Sequence, residues 1–176
     1  FQEYFPTGDE MRNMLWQSYI AGAKAVGLYK LDDAIGETKT DLMDTEVWPY
    51  VVSFGQLELD DAYRAYVKNE YPIFNEYRGS NDMWYSSYVK GGALYMVVLN
   101  RNDQAKTVTV PLEGYNGLTV GDYTAEVVNG AAPKSFSGNG VLYAELPVSG
   151  AVLYKITPSD ASVLNNLKTT GFKDLS

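Results

Sequence analysis

From Met83 onward, apolar and polar residues alternate with a period of two. The segments MWYSSYVK (83–90), ALYMVVLN (93–100), KTVTVPL (106–112), DYTAEVV (122–128), VLYAELP (141–147) and AVLYKITP (151–158) are separated by Gly, Asn, Asp and Pro. That is the pattern of short strands with one face turned inward. KGGA at 90–93 predicts a two-residue hairpin, because adjacent glycines accept the positive φ angles such a turn requires. Six to eight short antiparallel strands within about 75 residues predict a small β-sandwich.

The first 78 residues follow a different period and read as helix, strand, helix. Thr7 and Glu10 stand in capping-box spacing, so a helix begins there. Met11, Met14, Leu15, Ser18 and Gly22 follow at helical intervals, and Trp16, Tyr19, Ile20 and Ala23 widen the stripe. A stripe that wide predicts a helix covered on most sides. Ala25–Leu31 is a nearly continuous apolar run, as expected of a strand buried on both faces in a parallel sheet. The acidic stretch 32–46 predicts a loop. Pro49 then falls in the first turn of a second helix bearing Val47, Tyr50, Val51, Phe54 and Leu57, which runs to about Asn69 with a soft spot at Gly55. Residues 69–82 are rich in breakers and read as a connector. The expected organisation is α+β: a helical segment at 1–78, an antiparallel β-sandwich at 79–158, and a polar tail or linker at 159–176.

Composition narrows the chemistry. The 176 residues are 45% hydrophobic and 14% aromatic, with 15 Tyr, which argues for a folded chain rather than a disordered one. Fourteen basic against 22 acidic residues give a net charge of -8, which repels nucleic-acid phosphates and anionic lipid. Neither nucleic acid nor membrane is therefore an expected partner. With no Cys and no His, disulfides, imidazole or thiolate metal sites and His-assisted nucleophiles are all excluded. Catalysis would fall to carboxylates, Tyr, Lys or Ser, with neither cofactor nor metal expected. The acidic loop residues Asp32, Asp33, Glu37, Asp41, Asp44 and Glu46 do not follow the spacing of an EF-hand and read as a solvated loop. The chain opens on FQEYF without a Met, and reads as a processed or excised part of a longer protein.

PTGDEMRNMLWQSYIAGAKAVGLYKLDD (6–33), followed by VWPYVVSFGQLELDD (47–61), resembles the end of the TIM barrel in bacterial clan-A-type, β-galactosidase-like glycoside hydrolases. There, a Pro-Thr pair opens the helix after strand seven, GAK and a small residue lead into strand eight, and a Trp begins the final helix. GGALYMVVLNRNDQAKTVTVPL (91–112) and GVLYAELPVSGAVLYKITP (140–158) are similar to the C-terminal β-sandwich of such enzymes. The resemblance implies that 1–78 is a helix-strand-helix remnant of the closing end of a (β/α)8 barrel. It also implies that the parent is a secreted bacterial enzyme of polysaccharide degradation, acting outside the cell or at its surface.

The same resemblance assigns candidate roles. Glycoside hydrolysis in its usual form needs two carboxyl groups flanking the scissile bond. The nucleophile belongs at the end of strand seven, close to Glu3. The acid belongs on strand four, which this chain does not carry, so no complete catalytic site is expected. Tyr29, Asp32 and Asp33, with Lys30, would lie at the exit of strand eight and line the substrate. Trp48 would offer its face to a sugar ring. Read without the resemblance, Glu3 is an exposed acid, the Asp pair opens a loop, and Trp48 anchors its helix. Trp84, Tyr85, Tyr88, Tyr95, Tyr143 and Tyr154 suggest a sugar-stacking strip, although the two-residue period sends half of them to a core. The alternative to an enzyme fragment is a stand-alone carbohydrate-binding or cell-surface module, its helices an integral layer on the sheet. The expected partners are carbohydrate through the parent enzyme, and the rest of that barrel or a second copy against exposed apolar helix faces.

Overall fold

A computed structural model describes residues 6–28, 45–79, 83–131 and 135–165. It is an α+β structure in three layers: helices, a six-stranded sheet and a two-stranded sheet. Three helices, α1 (Gly8–Ile20), α2 (Trp48–Leu57) and α3 (Leu59–Tyr66), precede eight strands. These are β1 (Ile73–Arg78), β2 (Met83–Lys90), β3 (Ala93–Asn100), β4 (Lys106–Pro111), β5 (Asp122–Asn129), β6 (Ser135–Asn139), β7 (Val141–Leu146) and β8 (Ala151–Pro158). The large sheet is antiparallel in the order β1-β2-β3-β8-β5-β6, and β4 pairs with β7 in the small one.

The capping box opens α1 as the spacing requires: Thr7 accepts from the Glu10 amide at 3.2 Å, and the Glu10 carboxylate accepts from the Thr7 amide at 2.8 Å. Met11, Leu15, Trp16, Tyr19 and Ile20 are all buried, so the wide stripe does face neighbours on most sides. The hairpin between β2 and β3 turns on Gly91 and Gly92, at φ 59° and 75°.

Three expectations change. The expected strand at Ala25–Leu31 is irregular over Ala25–Leu28, where all but Val26 are exposed, and Tyr29–Leu31 lie outside the described residues. Burial on both faces belongs instead to β3 and β8, in the middle of an antiparallel sheet. Leu94, Met96 and Val98 of β3 and Val152, Tyr154 and Ile156 of β8 enter the core shared with β4 and β7. Val97, Leu99, Ala151 and Leu153 point the opposite way, into the core beneath the helices. Part of the expected connector is strand: Ile73–Arg78 forms edge strand β1 on β2, with a bulge between Ile73 and Asn75.

The expected second helix breaks at Glu58 rather than at Gly55. Glu58 leaves helical geometry, at φ -130° and ψ -33°, and its carboxylate is fully buried. Inserting that side chain between α1 and the sheet separates α2 from α3. After α3, Asn69 takes a left-handed φ of 54°, a conformation Asn tolerates better than most residues.

Candidate functional site

Of the residues singled out from sequence, Glu3, Tyr29, Asp32 and Asp33 lie outside the described residues. Trp48 is the first residue of α2 and half-buried. The aromatic residues of the strands do not form one strip. Tyr88 and Tyr154 are fully buried on opposite faces of the large sheet, and Tyr85 is buried in the same sandwich core as Tyr154. Tyr95 stacks on Tyr88 across the β2–β3 pair, with ring centroids 5.5 Å apart. Trp84 lies under the Arg101 guanidinium at 4.6 Å, and Tyr143 is exposed on β7.

The densest polar chemistry joins the helices to the sheet. Position 12 shares a helix face with Trp16, so Arg12 is carried inward among apolar neighbours. Its Nε donates to Glu58 Oε2 at 2.7 Å, and Nη2 donates to Glu58 Oε1 and, at 3.1 Å, to the Asn129 carbonyl. Nη1 donates to the Ala151 carbonyl. Trp16 Nε1 donates to Glu58 Oε1 at 3.0 Å, and Asn129 Nδ2 lies 3.2 Å from Glu58 Oε2. A buried charge survives only when paired and hydrogen-bonded, and here both partners are. A bulge in β5 between Val127 and Asn129 brings Asn129 to this network. Next along α1, Asn13 Nδ2 reaches the carbonyls of Asn100, Ser149 and Gly150 at 2.8 to 2.9 Å, tying the helix to the ends of β3 and β8.

Two open grooves flank α1. One, of about 310 Å³, is lined by Asn13, Met14, Gln17, Asn100 and Arg101 among others. The second, of about 340 Å³, lies between the start of α1, α2 and the end of β5, and is bounded by Asp9, Arg12, Tyr50, Ser53, Asn129 and Gly130 among others. Burial raises the Asp9 carboxyl above its ordinary value, opposed by the nearby Arg12 charge. Elsewhere, Asp61 of α3 accepts from Lys90 at 2.8 Å and from the Tyr88 hydroxyl at 3.3 Å. Burial, and after it the Asp61 charge, pushes that hydroxyl far up. Among the described residues, no group of three or more acidic, His or Cys side chains could hold a metal, and no helix is long and apolar enough to cross a membrane.

The Arg12 network was not read from the sequence. Its one local sign is a charged residue four positions before Trp16 on a buried stripe; Glu58 looks like part of the acidic run LELDD.

No family model matches the chain, and no curated protein does. Solved structures do match its fold. The GH27 β-L-arabinopyranosidase of Geobacillus stearothermophilus superposes with a TM-score of 0.53 at 17% identity, over 87% of this chain and 31% of its own. α-Galactosidase I of Mortierella vinacea gives 0.53 at 13% identity, over 88% and 36%. The α-amylase of Geobacillus thermoleovorans gives 0.56 at 14% identity, over 88% and 34%. The chain thus shares its fold with glycoside hydrolase structures, and spans about a third of their length.

Proposed function

We propose that this chain is the C-terminal region of a secreted glycoside hydrolase, with the helices as the closing end of its barrel and the sandwich as an accessory structural domain. The breadth of the structural likeness supports this. The matches extend over 87% to 88% of the chain, whereas residues 73–158, which hold every strand among the described residues, make up less than half of it. The likeness therefore takes in helices as well as sandwich. The outer helical faces leave Met14, Leu57, Leu59 and Tyr63 exposed, a surface on which the remaining barrel would rest.

On this reading Glu3 is the candidate nucleophile at the end of strand seven, Tyr29, Asp32 and Asp33 approach the substrate, and the acid lies on a part of the enzyme outside this chain. The sandwich holds the barrel end through Arg12 and Asn13. The isolated chain is then inactive: assayed against aryl α- and β-glycosides, it gives no release above buffer, and turnover by the pure chain contradicts the proposal.

One observation favours a second reading, a self-sufficient carbohydrate-binding or cell-surface module. The helices already bury a continuous apolar face against the large sheet, as an integral layer would. Retention of the chain on immobilised polysaccharide, with a signal peptide encoded directly before Phe1, would favour it over the enzyme fragment.

A further inference from the structure

The groove between α1, α2 and β5 is built unlike an ordinary surface recess. Tyr50 lies directly over Gly8: a Cβ at Gly8 would fall 2.0 Å from the tyrosine ring, so the ring sits where only glycine leaves room. Although about a third exposed, the ring packs closely against the Gly8 backbone at one wall. The next residue, Asp9, presents a partly buried carboxylate that makes no hydrogen bond among the described residues. The floor is Arg12, whose charge is already matched by Glu58. Ser53, whose hydroxyl donates to the Tyr50 carbonyl at 3.1 Å, and the Asn129 amide complete the rim.

These groups select a ligand class. With Arg12 neutralised and Asp9 unpaired, anions are repelled. A divalent cation would find a single carboxylate, too few oxygen ligands of its own. A fixed aromatic face beside hydrogen-bonding groups suits a neutral ring that carries C–H bonds on one side and hydroxyls around its edge. Its hydroxyls donate to Asp9 and to the remaining lone pairs of Ser53 Oγ and Asn129 Oδ1, because the Ser53 proton and the Asn129 Nδ2 protons are already given to Tyr50, Ser53 and Glu58. At about 340 Å³ the groove is at the small end of ligand sites, the size of one ring rather than a chain. We propose that this groove binds a single sugar ring, with Tyr50 as its platform and Asp9 as its principal hydrogen-bond acceptor. None of the candidate catalytic and substrate residues is among those lining the groove, and the proposal does not depend on the chain's being part of a glycosidase.

The test is titration of the full 176-residue chain with galactose, arabinose and glucose, each followed by amide NMR, with a quaternary ammonium (choline) as the competing cation. Saturable shifts at Gly130 and at the Asn129 side-chain amide are expected for at least one sugar, at weak affinity on the order of 1 mM. Asp9→Asn should weaken that sugar about tenfold, the loss of one charged hydrogen bond. Gly8→Ala keeps every polar group but displaces the ring, and should weaken it by a similar factor while the remaining amide spectrum stays that of the folded chain. Absence of saturation by all three sugars, equal sugar binding in Asp9→Asn, or choline binding in their place overturns the proposal. None of these results bears on whether the chain completes a barrel, which is decided by the activity assay and the coding sequence.

Discussion

Arg12 and Glu58, 46 residues apart, form a two-pronged buried ion pair that joins the first helix to the break between the second and third. Glu58 also receives Trp16 and Asn129, and Arg12 also serves the carbonyls of Asn129 and Ala151, so the pair joins both helical segments to strands β5 and β8. Removing one partner strands the other charge in a buried site, at a cost of about 3–5 kcal/mol. Arg12→Met and Glu58→Met should each destabilise the chain by that order in urea unfolding. The double variant should lose clearly less than the two losses added, because it leaves no uncompensated charge. Strict additivity would mean that the two residues do not act as a pair.

The sheet should unfold together with its helices. Strands β3 and β8 supply side chains to both cores, so neither layer can open without exposing the other. Leu153→Ala on the helix side and Leu142→Ala on the sandwich side each create a cavity in a fully packed region, at a cost of about 2–5 kcal/mol. Both should lower the midpoint of the helical circular dichroism and of the aromatic fluorescence to the same degree. A Leu142→Ala change that lowers only the fluorescence transition would show two separately stable layers.

Glu76 gives a pH dependence whose sign is fixed. Burial raises its carboxyl above the ordinary value near 4.5, opposed first by Arg78, which donates at 2.5 Å to one oxygen, and to a lesser degree by the nearby Ser86 hydroxyl. A raised carboxyl binds its proton more tightly in the folded chain than in the unfolded one. The stability it supports is complete below 4.5 and is lost as pH climbs through the raised value. The stability of Glu76→Gln relative to the native chain should therefore increase from pH 4 towards neutrality. A difference in unfolding free energy that stays level across that range, or falls, would contradict the assignment.

What could be read from the sequence was what local rules determine. The capping box at Thr7, the Gly91-Gly92 turn and the alternating strands from Met83 depend on neighbours a few residues away, and the structure carries each of them. The rule that a continuous apolar run is buried on both faces was sound, but it applied to ALYMVVLN and AVLY rather than to AVGLYKL: a central antiparallel strand covered by helices on one side and a second sheet on the other gives the same run as a parallel strand. Strand β1 was hidden by Pro72, Asn75 and Gly79, which mark it as turn. Asn75 is nonetheless buried, because its amide reaches the carbonyls of Pro111 and Glu113. The Arg12–Glu58 pair could not be read as a pair: the spacing of Arg12 from Trp16 hints at one buried charge, Glu58 looks like an ordinary surface charge, and only the tertiary fold brings them together. The same holds for the sugar groove, whose walls come from three separate stretches of chain.

The measurement that bears most directly on the central claim is the coding sequence immediately upstream of Phe1. An enzyme fragment predicts an open frame through several βα repeats, with a carboxylate at the end of the fourth strand to serve as the acid that Glu3 lacks. A signal peptide with its cleavage site directly before Phe1 would contradict the barrel and leave the self-sufficient module in its place.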